Sequence, residues 1–201
     1  MKLKLYGFDK EFTFPDEWQQ VQTMPEDPPN SVVIMKVNEY SQSMVLIFPI
    51  SKDKVMPFEN PQSVINGIHN ALENDQGIIE VESINKNNKY IYSIIKTKIE
   101  SNGMQYCLTL HFDISGKYYN VTGFFSENGI TGTRDTIVYG LARKDGTVKE
   151  NMEGWFVDPY DPNYNRGVLM NISENKKFDE MFPFHPLSET RKFTKALMDQ
   201  V

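Results

Sequence analysis

The sequence predicts an α+β fold in which amphipathic helices pack on an antiparallel sheet. Three observations predict it. Met104, Tyr106, Leu108, Leu110 and Phe112 alternate with Gln105, Cys107, Thr109, His111 and Asp113, the period of two that marks a strand with one strongly apolar face. β-prone stretches separated by short turn signals flank that strand on both sides. Three other segments carry apolar residues at helical spacing.

Taken in chain order, Phe12 and Phe14 open as a short strand that ends in a turn at Pro15-Asp16-Glu17-Trp18. Residues 24–30, Met-Pro-Glu-Asp-Pro-Pro-Asn, form neither helix nor central strand, because proline lacks the N–H donor and fixes φ. Segments 32–38 and 44–49 read as a hairpin joined by polar residues 39–43. Asn60 suits an N-cap, Pro61 the first helical position and Gly77 the stop. Between them Val64, Ile65, Ile68, Ala71 and Leu72 share one helix face. Segments 78–84, 89–99, 104–113 and 117–125 then form a four-stranded meander, with turns at 85–88, Asn102-Gly103 and Ser115-Gly116. A second helix is expected near 133–143, with Ile137, Val138 and Leu141 inward. Asp135 at its start and Arg143 and Lys144 at its end suit the helix dipole. Residues 144–186 read as an irregular, aromatic and proline-rich extension. A third helix follows Ser188 as N-cap, with Phe193, Ala196, Leu197 and Val201 as its stripe. The strands sum to about six to seven.

The chain has 201 residues, of which 39 % are hydrophobic and 24 % charged. That length suits one core plus an extension, and the composition excludes a disordered chain. Acids outnumber bases 27 to 21, for a net charge of −6. A nucleic-acid partner is therefore not expected, since phosphate binding requires a basic footprint. The single cysteine, Cys107, rules out an internal disulfide and fits a reducing compartment. The longest apolar run, 44–50, is interrupted by Pro49 and too short to span a bilayer. A cytoplasmic protein with no membrane span and no cofactor is the expectation.

No catalytic constellation emerges. Cys107 and His111 lie about 13 Å apart along one strand, beyond hydrogen-bond reach. His69 and His185 have no second ligand at metal spacing. Asp161-Pro162-Asn163-Tyr164-Asn165 opens like a calcium loop, but Arg166 stands where that loop needs glycine and Ile172 where it needs glutamate. Gly129-Ile130-Thr131-Gly132-Thr133-Arg134 precedes a helix, so Thr131, Thr133 and Arg134 are candidates for holding an anion, beside the plainer role of turn and N-cap. Trp155, Phe156, Tyr160, Tyr164 and Arg166 in the extension are candidates for a partner surface, because Trp, Tyr and Arg dominate binding hot spots. The plainer alternative is that these aromatics pack on their own domain.

The element order, with Phe12, Pro15 and Trp18 in an F-x-x-P-x-x-W opening and the helix start Asn60-Pro61-Gln62-Ser63, resembles the PsbP-like superfamily of PsbP, Mog and DcrB-type proteins. The resemblance covers residues 12–143. It implies an α/β/α sandwich around a twisted antiparallel sheet, with helices on both faces. Residues 1–143 would then form this core, and 144–201 an extension and C-terminal helix packed on the same domain. The resemblance transfers no catalytic residue. The leading expectation is a bacterial, non-enzymatic interaction or assembly module of unknown protein partner. A small-molecule or anion-binding protein, an enzyme included, with a pocket between sheet and extension is the alternative; His111, Arg134 and Arg166 would converge there. A structural homodimer is a third reading.

Overall fold

The computed structural model describes residues 1–85, 89–99 and 103–201. Among them are a two-stranded sheet, a seven-stranded antiparallel sheet and three helices. The small sheet pairs β1 (Lys2–Lys4) with β2 (Glu11–Thr13). The large sheet contains β3 (Gln19–Val21), β4 (Val32–Val37), β5 (Ser41–Ile50), β6 (Gln76–Asn85), β7 (Lys89–Lys98), β8 (Met104–Ile114) and β9 (Lys117–Glu127), in the order β3-β4-β5-β9-β8-β7-β6. The expected hairpin and meander are thus present, and β9 joins them by pairing with β5. The sequence reading omitted β1 and β3, each only three residues long. Ser115 and Gly116 turn β8 into β9, both with positive φ, the backbone that a two-residue hairpin needs. Asn102 and residues 86–88 lie outside the described residues.

Side chains alternate between two faces of this sheet. Tyr106, Leu108, Leu110 and Phe112 join Ile94, Val121, Phe125, Val45 and Ile47 in the main core. Helix α3 (Pro186–Met198) covers that face with Leu187, Phe193 and Leu197; Phe14 stacks on Phe193, and Trp18 meets the same ring tilted, at 5.1 Å. On the opposite face α1 (Pro61–Ala71) packs Ile65 against Ile78, Val81 and Ile91 of β6 and β7. Farther along that outer face Met35, Met44, Phe124 and Cys107 sit side by side in register across four strands. They are half-buried and join none of the three buried clusters. No helix among the described residues is long and apolar enough to cross a membrane.

Three helix boundaries or faces differ from expectation. Asn60 caps α1, its side chain accepting from the Ser63 amide at 3.1 Å, but the helix ends at Leu72 and Gly77 lies inside β6. A Cβ on Gly77 would stand 1.8 Å from the Val168 carbonyl oxygen, so this glycine serves a close approach of the extension. Helix α2 (Thr133–Lys144) buries Arg134, Val138 and Ala142, while Ile137 and Leu141 are exposed. It packs on the extension rather than deep in the sheet, which rotates its inward stripe onto the 134/138/142 row. Helix α3 starts three residues early: His185 is its N-cap, Pro186 its first residue, and Ser188 is buried inside it.

The extension is irregular but firmly anchored. Single 3-10 turns occupy Ile172–Glu174 and Lys176–Phe178, and Val168 N–H donates to the Gln76 carbonyl at the free edge of β6. A buried ionic network ties it to the sheet. Lys96 donates to Glu174 at 2.7 Å, and Tyr106 O–H donates to the same carboxylate at 3.0 Å. Arg191 of α3 reaches Glu80, Asp179 and the Glu174 carbonyl.

Candidate functional site

The structure places the sequence candidates in separate surroundings. Trp155 is only 3 % exposed and meets Tyr139 of α2 edge-on at 5.2 Å, so it is a core residue. Phe156 beside it is half exposed and forms a backbone bridge with Asn171. Tyr160 lies over β6, its hydroxyl accepting from the Val81 amide. Tyr164 stacks on the His69 ring at 4.2 Å, and His69 in turn meets Asp158 at 3.0 Å. Arg166 is exposed in the extension. His111 accepts from the Met56 amide at 2.8 Å, and burial pushes its pKa down to about 4. Cys107 lies on the same face, with its thiol pKa raised by burial. His111, Arg134 and Arg166 therefore each have surroundings of their own.

Thr133 and Arg134 do line a cleft, at the end of the sheet where β9, α2 and the extension meet. The cleft holds about 370 Å³ and is otherwise lined by Tyr40, Glu127, Ile130, Met181, Phe182, Pro183, Phe184 and His185. Local chemistry brings these segments together. Asn38 turns the β4–β5 hairpin by accepting from the amides of Tyr40 and Ser41, both at 2.8 Å. The chain leaving β9 hugs that turn: Asn128 donates its side-chain amide to the Asn38 carbonyl at 2.7 Å. Gly129, at φ +67°, passes so close that a Cβ would stand 2.8 Å from the Glu39 carbonyl oxygen. Opposite, the chain turns at Pro183 and Phe184, closed by the His185 N–H donating to the Phe182 carbonyl at 3.1 Å, and His185 before Pro186 is extended. Phe184 then stacks on Tyr40 at 5.9 Å.

The rim is strongly apolar. Ile130 is 85 % exposed, Tyr40 55 %, Met181 54 % and Phe184 53 %. Four large apolar side chains from three segments converge at one opening, where scattered single exposures would need no explanation. Lys192 is the cation beside this wall, 5.7 Å from the Phe184 ring centre and donating to the Pro183 carbonyl.

Polar groups close the floor. Arg134 lies 5.8 Å from the Phe182 ring centre, but its guanidinium turns inward. It donates to the Ser173 carbonyl at 2.7 Å, Ser188 at 2.9 Å, the Asn175 carbonyl at 3.2 Å and Asp179 at 3.0 Å. The start of α2 also meets a carboxylate of its own chain, since Gly132 N–H donates to Glu127 Oε1 at 2.9 Å. Glu127 Oε2 accepts from the Met104 amide at 3.0 Å. Burial raises the Glu127 pKa, and the Asp135 and Glu174 carboxylates add to the rise. His185 stands 3.8 Å from Glu127, and burial lowers its pKa to about 3, which leaves the imidazole neutral near pH 7.

Sequence reasoning missed Glu127, Tyr40, Met181, Phe184 and the role of His185. Glu127 follows an alternating strand as an ordinary polar terminus, and nothing local marks it as buried. The Phe-Pro-Phe-His-Pro run at 182–186 is the one signal that could have flagged the rim, since two prolines so close together keep the aromatics between them out of helix and central strand.

No protein-family model matches the sequence, and no curated protein does. Solved structures of similar fold include cyanobacterial PsbP (CyanoP) from Synechocystis sp. PCC 6803, at 18 % identity and TM-score 0.39, covering 68 % of this chain and 83 % of that one. The Saccharomyces cerevisiae Ran-binding protein Mog1p matches at 9 % identity and TM-score 0.45, over 70 % of this chain and 82 % of its own. A Pseudomonas aeruginosa protein of unknown function, described as a putative regulator, matches at 11 % identity and TM-score 0.32, over 73 % and 92 %. At these identities the likenesses are of fold alone.

Proposed function

We propose that this protein is a binding module that docks a protein partner at the cleft between β9, α2 and the extension. One observation carries the reading: Tyr40, Ile130, Met181 and Phe184 expose large apolar surfaces around a single opening. Leaving such surface in water costs roughly 25 cal/mol per Å², and a partner that covers it recovers that free energy. Thr133 and Arg134 belong to the wall of this surface, whereas Phe156, Tyr164 and Arg166 lie outside it.

A photo-crosslinking residue in place of Ile130, expressed in the native cell, tests the proposal. The expected result is a discrete adduct that disappears when Phe184→Ala is added. The same probe at exposed Lys149, outside the cleft, should give none. Equal adducts at both positions, or none at Ile130, would refute the docking role.

A second reading rests on the half-buried row Met35, Met44, Phe124 and Cys107 on the outer sheet face. A probe at Leu46, the register neighbour of Val33 on that face, separates the two. An adduct at Leu46 without one at Ile130 moves the docking surface to the sheet.

A further inference from the structure

The floor of the cleft holds a carboxylate with an unusual balance of partners. Glu127 is 8 % exposed, and each oxygen accepts one backbone N–H. Among the described residues the basic group within ion-pair distance is His185, at 3.8 Å. That imidazole is a weak base here, because its Nδ1 accepts from the Leu187 amide and burial disfavours its charged form. The other nearby cation, Arg134, is matched by Asp179 and by carbonyl and hydroxyl acceptors. A carboxylate removed from water normally takes a cationic partner or loses its charge. Among the described residues Glu127 has two backbone donors and no full positive charge beside it.

The walls above this carboxylate are also of one kind. Tyr40 and Phe184 form a stacked pair, with Phe182, Met181 and Ile130 around the opening. Aromatic faces attract cations and repel anions, and they accept an alkyl stem without a polar cost. Glu39 and Glu180, adjacent in sequence to Tyr40 and Met181, are exposed, against Lys192 on the Phe184 side. This combination disfavours an anionic ligand and suits an ammonium group on an apolar stem.

From this geometry we infer that the cleft takes a lysine side chain of the partner protein, with its ammonium on Glu127 and its methylenes between Tyr40, Phe182 and Phe184. The inference rests on the docking role proposed above and names what enters the opening. The apolar rim is wider than one free amine would cover, so the lysine belongs to a larger partner surface. A compact ammonium, which needs a single free lone pair, also suits Glu127 better than a guanidinium fork, which needs one on each of two oxygens that already accept a backbone N–H.

The test is a titration of the full-length protein followed by amide NMR, with acetyl-Gly-Lys-Gly-amide as the probe. Saturable shifts are expected at Gly132 and Met104, whose amides contact Glu127. The norleucine and Nε-acetyl-lysine analogues should bind at least tenfold more weakly, as should the arginine analogue. Glu127→Gln should lower lysine-peptide affinity about tenfold. Phe184→Ala changes an exposed ring and leaves the floor intact, and should weaken binding severalfold even if Glu127→Gln fails to fold. Equal binding of the norleucine peptide would overturn the cation assignment while leaving the docking surface in place. Equal binding of the arginine peptide would overturn the choice of lysine. Free n-butylamine binding as tightly as the peptide would assign the cleft to small amines instead. Absence of saturable shifts with the lysine peptide would overturn the inference, whereas loss of the Ile130 adduct in cells would remove the docking role itself.

Discussion

His185 performs two jobs with one ring. Its Nδ1 caps α3 through the Leu187 amide at 3.2 Å, and its edge meets Tyr106 at the cleft floor. Its ionisation then links pH to stability. The unfolded chain takes up a proton near pH 6.5, whereas the folded chain takes it up only near 3. As pH falls through that window the unfolded state binds more protons, so stability present above pH 6.5 is progressively lost, by about 1.4 kcal/mol per pH unit once well inside it. His185→Asn keeps a good N-cap acceptor and removes the titration. Urea unfolding between pH 7 and 4.5 should give a shallower stability loss for the variant than for wild type; parallel profiles would refute the linkage. His111, lowered by burial to about 4, keeps its own slope in both proteins. Lys96 shows how far single residues were legible. It shares strand parity with Tyr92 and Ile94 on the core-facing side, so a buried counter-ion could have been inferred. Its partner Glu174 is 78 residues away, and no local pattern identifies it.

At the scale of elements, β6 depends on one irregularity. The register slips between Ile78 and Glu80, and a one-residue shift moves every following side chain to the opposite face. Ile78 therefore packs under α1, whereas Glu80 and Glu82 turn to the other face, within reach of Tyr92. There Glu80 meets Arg191 of α3 at 2.8 Å. Alternation read from the sequence cannot see such a bulge, because Ile78, Ile79 and Val81 fit either face. The extension depends on β6 in the same local way. Because a Cβ on Gly77 would stand 1.8 Å from the Val168 carbonyl oxygen, Gly77→Ala should push the extension off the strand. A loss of about 1–3 kcal/mol is expected from such overpacking. It should appear in thermal unfolding together with faster proteolysis in 158–168; an unchanged midpoint would show that the strap relaxes freely.

Across the whole molecule, the extension protects the β6 edge of the sheet. On the β6 side, Val168 and Tyr160 occupy backbone groups that would otherwise invite another strand. The Val81 amide donates to the Tyr160 hydroxyl, so Tyr160→Phe should raise its hydrogen-exchange rate at least tenfold while amides in β8 stay unchanged. Uniform acceleration across the sheet would instead indicate global destabilisation. The cleft belongs to this scale too, since its wall needs the β4–β5 hairpin, the β9 terminus, the start of α2 and the chain before α3 all in place. By itself, the sequence determined the strands other than β1 and β3, the presence of three helices and the antiparallel meander, because strand alternation, helix caps and turn residues act over a few neighbours. Only the tertiary structure decided that Trp155 is core, that Arg134 faces inward and that Glu127 sits buried beneath an apolar rim. Those outcomes depend on burial and charge pairing between segments distant in the chain, and free energies of that kind leave no periodic trace in the residues that share them.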